Sequence, residues 1–218
     1  MPRDTVLAAV RTALLDIDPA GSVYAAPPAA TEPGADRATL VPRFIAQARA
    51  VGTFVHEAQS RAAAAAVLAT ILAEDRAERV IVWPTPLSQA VARAAAHGVD
   101  VRLAEPGTAV AMVADADVGV TEADVLVAAS GTLVLCARTG ARAVSLLPRT
   151  HVAIAPTTRL VAELATALRR VRPRDGAPDA CVTLITGPSR TADIEKKLVV
   201  GVHGPCALHV ILLDDTEA

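Results

Sequence analysis

Aromatic residues make up only 2% of the 218-residue chain. Trp83, Tyr24, Phe44 and Phe54 are the whole set, so no aromatic platform for stacking nucleobases can be assembled. The core must instead be filled by Val, Leu, Ile and Ala within a hydrophobic content of 52%. That composition favours an α/β domain whose thin helices pack closely on a sheet. Cysteine is almost as scarce. Cys136, Cys181 and Cys206 lie 45 and 25 residues apart, forming neither an even disulfide framework nor a CxxC pair. This excludes a recognisable iron–sulfur ligand set on the chain and points to small buried thiols in a reducing compartment.

An excess of one charge is missing too. Twenty-one basic residues face 23 acidic ones, a net charge of −2, which removes any overall electrostatic preference for nucleic acid or anionic membrane and leaves only a local basic patch possible. Long apolar runs are absent despite a mean hydropathy of +0.40. The run from Ala62 to Ala73 is closed by Arg61 and Glu74, and that from Val125 to Ala137 is broken by Ser130-Gly131-Thr132. A membrane-crossing helix needs about 20 apolar residues, so no membrane span is expected. Arg11 interrupts what would be the apolar part of a signal peptide, and a cytoplasmic chain is the expectation. There is no GxGxxG, no GxxxxGK[ST] and no GxSxG, so neither phosphate loop nor nucleophile elbow is signalled.

The chain does carry a clear alternation of helical and strand patterns. Residues 1–18 read as an amphipathic helix with Val6, Val10, Ala13, Leu14 and Ile17 on one face. It docks either on its own domain or on a partner. A proline-rich tether follows over 19–38, and 39–218 reads as a single α/β domain. A helix near 40–50, a strand at 53–56, a helix at 60–74, a strand at 80–83, a helix from Pro86 to about His97 and a strand at 99–101 form βαβ units. Their expected product is a three-layer Rossmann-like sandwich with a mostly parallel sheet. The middle breaks the rhythm: strand-like runs at 118–121, 124–129, 132–137, 143–147 and 151–154 leave no room for helices. They predict an inserted hairpin or meander, with Ser130-Gly131 and Thr139-Gly140 as two-residue turns. A helix over 157–170, a strand over 182–186, a helix over about 192–200 and a strand over 208–213 complete the pattern.

The most polar stretch is Ile185-Thr186-Gly187-Pro188-Ser189-Arg190-Thr191-Ala192-Asp193. Two readings account for it. A strand–loop–helix passage presents free backbone N–H groups and a positive dipole end, which with Ser189, Arg190 and Thr191 suits a carboxylate or phosphate. Alternatively Thr191 caps a helix, Asp193 pairs with Lys197 and Arg190 is solvated. His203, Cys206 and His209 suggest a metal, but Cys206 and His209 would point to opposite faces of a strand, so no metal site is expected.

These residues resemble a known family. Thr186-Gly187-Pro188-Ser189-Arg190-Thr191-Ala192-Asp193-Ile194-Glu195, then Gly201-Val202-His203-Gly204-Pro205 and Leu208-His209-Val210-Ile211-Leu212, are similar to the C-terminal signature of the lactate-utilisation protein C family, the stand-alone LUD domains. Thr121 to Thr132, and Val144 to Pro148 with His151, resemble further blocks. The resemblance implies a fold of the NagB/RpiA/CoA-transferase type and a part in bacterial L-lactate oxidation to pyruvate, beside partner proteins that carry the iron–sulfur clusters. It places Gly131, Gly187, Ser189, Arg190, Thr191, Asp193, His203 and Gly204 around a small carboxylate or phosphate ligand. No cofactor is expected on this chain itself.

One block departs from the family pattern. Where Ala-Glu-Thr-Gly-Thr is usual, this chain has Ala128-Ala129-Ser130-Gly131-Thr132. A carboxylate acting there as base or nucleophile would have to be replaced by Glu122, which otherwise reads as a surface turn residue. Glu122, Ser130 and Thr132 are therefore the candidate catalytic residues. An accessory, ligand-binding subunit is the leading expectation, and an independent small-molecule enzyme with a transferase- or isomerase-like site is the alternative.

Overall fold

The computed structural model describes Thr5 and residues 36–137, 140–171, 181–192, 198–201 and 203–214. Apart from Thr5, the expected N-terminal helix lies outside these residues, as does the tether up to residue 35. In chain order the elements are α1 (Arg37–Ala50), β1 (Phe54–Ala58), α2 (Arg61–Glu74), β2 (Arg79–Val82), α3 (Pro86–Ala95), β3 (Asp100–Leu103), α4 (Val110–Ala114) and β4 (Val118–Glu122). They continue with β5 (Val125–Val127), β6 (Thr132–Cys136), a 3-10 turn at Arg142–Ser145, β7 (Thr150–Pro156), a 3-10 turn at Thr157–Arg159 and β8 (Leu160–Val161). Last come α5 (Leu164–Arg170), β9 (Val182–Ile185), β10 (Arg190–Ala192), β11 (Leu198–Val200) and β12 (Ala207–Leu213).

Six strands form one parallel sheet in the order β1-β12-β7-β4-β2-β3. The central strands are unbroken aliphatic runs because both faces are covered. On one face Val80, Val82, Val118, Val120, Val152 and Ile154 pack under α2 and α3. The helix starts follow local chemistry: Ser60 accepts from the Ala63 N–H at the head of α2, and Thr85 with Pro86 opens α3. The opposite face, carrying Ile81, Trp83, Ala153, Ala155, Leu208 and Val210, packs against α1, α4 and a second sheet. That second sheet has the order β8-β5-β6-β9, and α5 packs on its outer face. The layered α/β architecture is as expected, with the hairpin β5–β6 built into a sheet of its own rather than into the parallel one.

Five local expectations are corrected. Residues 37 and 38 of the expected tether already belong to α1, which Asp36 caps by accepting from the Ala38 N–H at 3.2 Å. The Ser130-Gly131 turn is longer than two residues: Val127 pairs with Thr132, so residues 128–131 make the connection. The run 143–147 is no strand, because Ser145 Oγ bonds the Arg142 carbonyl at 3.1 Å and Leu146 N bonds Ala143 O at 2.9 Å, closing a 3-10 turn. The expected helix over 157–170 begins only at Leu164, since Leu160 and Val161 are buried as strand partners of Leu126 and Val127.

The fifth correction bears on function. The expected helix over 192–200 is replaced by β10 and β11, paired antiparallel with Arg190 opposite Val200, Thr191 opposite Val199 and Ala192 opposite Leu198. β-Branched Val199 and Val200 fit a ladder better than a helix, and Gly201 at φ +81° ends the strand. Residues 193–197, including Asp193, lie outside the described residues. Among the described residues no helix N-terminus stands here to receive an anion, so the expected anion-binding loop at a helix N-terminus is withdrawn.

Candidate functional site

β9, the edge strand of the second sheet, lies near the amino-terminal ends of β7 and β12. A cleft of about 240 Å³ opens between them. β7 contributes His151 and β12 Leu208 from one wall; Thr183 and Ile185 of β9 form the other. Gly187, Ser189, His203 and Gly204, all read from the sequence as ligand-binding, line the same cleft. The loop is held by Ser189 N donating to Pro205 O at 3.1 Å and Gly201 N to Ser189 O at 2.9 Å. A Cβ on Gly204 would stand 3.1 Å from Ser189 Cβ, so the two chain segments touch.

His151 is fully buried, with Nε2 2.8 Å from Thr121 Oγ1 on β4. Nδ1 is buried with no hydrogen-bond partner among the described residues. Burial pushes the imidazole down to about 3, and His209 acts in the same direction, so the ring is neutral at physiological pH. Sequence reasoning named this residue only within a block of the family resemblance and gave it no role in the site. The available signal was one polar ring inside the otherwise apolar-walled run Thr150–Pro156, every residue of which is buried; such a ring requires partners.

Ser130, Gly131 and Thr132 approach the cleft from the side. Ser130 and Thr132 hydroxyls lie 2.7 Å apart, and Thr132 lies 2.7 Å from the Thr186 hydroxyl, which lines the cleft. Gly131 and Gly187 are fitted to the end of α1. At Gly131 (φ +65°) a Cβ would lie 2.3 Å from Ala48 N, and at Gly187 (φ +90°) 2.7 Å from Val51 O. Arg190 does not line the cleft: its guanidinium is turned onto the Val51 carbonyl at the end of α1. Thr191 is placed by its backbone alone, within β10.

Glu122 is neither in that group nor a surface turn residue. It is the last residue of β4, 8% exposed, and forms an ion pair with Arg159. The strand β5 separates it from the tip of the hairpin, so Glu122 is not brought together with Ser130 and Thr132. A larger cleft, about 340 Å³, sits at the carboxyl ends of β1 and β12, between Arg37, Glu57 and Asp214. Ligands of open α/β sheets usually bind at that edge. Here, however, Asp214 is already engaged by Arg37 at 3.4 Å and by Thr157 at 3.3 Å, whereas the smaller cleft gathers the polar loops at 186–189 and 203–205.

His209, on the other side of the parallel sheet, stacks on Phe54 and lies 3.1 Å from His56 through ring nitrogens. Burial, then His56, pushes its imidazole down to about 4. Cys136 is buried, Cys181 half-buried and Cys206 exposed rather than interior. The Arg142 side chain, then Thr183, lowers the Cys181 thiol. Among the described residues no three His, Cys, Asp or Glu side chains form a metal-sized group, and no helix is long and apolar enough to cross a membrane.

The family whose sequence pattern matches the chain is described as the LUD domain, over residues 41–213. A protein named lactate utilization protein C from Shouchella clausii (strain KSM-K16) is 48% identical over 103 residues, covering 46% of this chain and 45% of that protein. One of the same name from Macrococcus caseolyticus (strain JCSC5402) is 48% identical over 105 residues, covering 46% and 45%. The matched stretch therefore spans about 45% of the length of these curated relatives. A crystal structure of a DUF162 family protein from Deinococcus radiodurans superposes with a TM-score of 0.64 at 27% identity, covering 82% of this chain and 99% of that one.

Proposed function

From the premise that the chain belongs to the LUD domain family, we propose that it serves bacterial L-lactate utilisation as an accessory, ligand-binding component. In this reading it holds a small carboxylate while partner proteins bearing iron–sulfur clusters carry the electrons. The observation behind the binding role is the convergence of Gly187, Ser189, His203 and Gly204 with buried His151 on one cleft. The printed names of the two 48% identical relatives support the lactate assignment. Three cysteines without ligand spacing support placing the clusters elsewhere. An independent enzyme built on Glu122, Ser130 and Thr132 has less support, because Glu122 is committed to Arg159 and lies at the far end of the hairpin.

Deleting the gene tests this reading. Growth on L-lactate should fail or slow while growth on pyruvate is unaffected; unchanged growth on L-lactate would overturn it.

A further inference from the structure

Resting on the ligand-binding reading, we infer that Thr132 is a positioning residue: with Ser130 behind it, it turns the Thr186 hydroxyl into the cleft as a donor for an anion. The described residues lining the cleft include no Lys or Arg. A carboxylate there has to be held by hydroxyl, imidazole and backbone donors, each of which binds a charged acceptor more strongly than a neutral one. The direction in which the hydroxyls point then decides whether the anion is attracted or repelled. Thr132 opens β6 one step beyond the Leu133–Ile185 pair, which sets it across the ladder from Thr186. The two hydroxyls lie 2.7 Å apart, and Ser130 Oγ lies 2.7 Å from that of Thr132. The three form one chain from the hairpin tip to the cleft.

Burial differs along the chain. Thr132 is only 4% exposed, Ser130 is half-buried, and Thr186 is exposed and lines the cleft. A ligand therefore reaches the outer hydroxyl without entering the core. Gly131 holds the tip close against the backbone of Ala48 in α1. A hydroxyl carries one proton and donates once, so Thr132 donates either to Ser130 or to Thr186. In the first case Thr186 donates back to Thr132 and shows the cleft an oxygen lone pair, which repels an anion. In the second, Ser130 donates to Thr132, Thr132 to Thr186, and the Thr186 proton is free for the cleft. An anion selects the second direction, and each bond in a chain of that sense strengthens the next.

The test is a set of calorimetric titrations of the full chain with pyruvate as the probe anion. Thr186→Val should weaken binding about tenfold or more. Thr132→Val, which keeps the shape and removes only the hydroxyl, should weaken it about fivefold. Thr132→Ser restores the hydroxyl and should bind as the parent does. In the Thr186→Val background Thr132→Val should have no further effect, because the chain has lost its outlet. Ser130→Ala removes the first donor at the half-buried tip and should cost about threefold. Thr132→Val that binds as the parent does, or that loses as much affinity without the Thr186 hydroxyl as with it, overturns the relay and leaves the binding role intact. Should that variant not fold, parent-like binding by Ser130→Ala overturns the relay in its place. If the parent itself does not bind pyruvate, the ligand-binding reading falls and the relay with it.

Discussion

His151, Glu122 and Arg190 are three polar side chains to which the fold gives quite different surroundings. His151 and His209 are held neutral, with imidazoles pushed down to about 3 and about 4 from the ordinary 6.5. In the unfolded chain both take up protons as the pH falls through 6.5, but the folded chain resists until far lower. Between those limits the unfolded state binds more protons, so stability is fully present above pH 6.5 and declines below it. The slope for buried His151 is up to about 1.4 kcal/mol per pH unit, with less from half-exposed His209. Urea unfolding at pH 7.5, 6 and 5, followed by the emission of buried Trp83, should show this decline, and His151→Phe should flatten it. A stability independent of pH over that range would contradict the burial of both rings.

Glu122 depends on one partner. Arg159→Met leaves a nearly buried carboxylate unpaired, and the expected cost is about 2 to 4 kcal/mol, the lower end reflecting the partial exposure of Arg159. A loss under about 0.5 kcal/mol in the same unfolding assay would mean that the carboxylate is solvated. Arg190 is an exposed donor on a helix-terminal carbonyl, so Arg190→Ala should cost about 1 kcal/mol or less of stability. Its affinity for pyruvate or L-lactate should stay within about twofold of the parent, because the guanidinium does not reach the cleft.

Elements differ in how plainly they are written in the chain. The parallel strands were legible because Val80-Ile81-Val82 or Val210-Ile211-Leu212 must be buried on both faces, a state that only a covered sheet provides for so short a run. The helices at 61–74 and 86–95 were legible from Ser60, Thr85 and Pro86 at their starts. The stretch from about Ala192 to Val200 reads as a helix in sequence because its charged middle suits one, while the ladder formed by β10 and β11 is favoured by β-branched residues at the end of the run. Of the candidate site, Gly187, Ser189, His203 and Gly204 were found from their local polarity and family resemblance. His151 was named only within a resembling block and given no role, because a lone histidine in a strand pattern reveals nothing of its partners until Thr121 is brought alongside. Gly131 offers a check on the packing at this level. Gly98 has φ +78° with nothing within 4 Å of an added Cβ, whereas Gly131 has φ +65° and the backbone of Ala48 at 2.3 Å. Both carry left-handed strain as alanine, so Gly131→Ala should cost more than Gly98→Ala by about 1 to 3 kcal/mol from overpacking alone. Equal losses would show that α1 yields easily to the hairpin tip.

At the scale of the whole domain, two sheets share one aliphatic core, with α2 and α3 covering one face of the parallel sheet. Among the clefts of the described residues, two at opposite ends of the parallel sheet make competing claims. The carboxyl edge is where open parallel sheets usually bind ligands, yet its charges at Arg37 and Asp214 are already paired. The gap between the sheets lies at the opposite end and is lined by buried His151 together with the polar loops at 186–189 and 203–205. The account rests on the second opening. A crystal of the full chain soaked with pyruvate distinguishes them directly. Density for the acid between β7 and β9, beside Ser189 and His203, is the predicted result; density at Arg37 and Asp214 instead, or an unchanged cleft at saturating pyruvate, would contradict it.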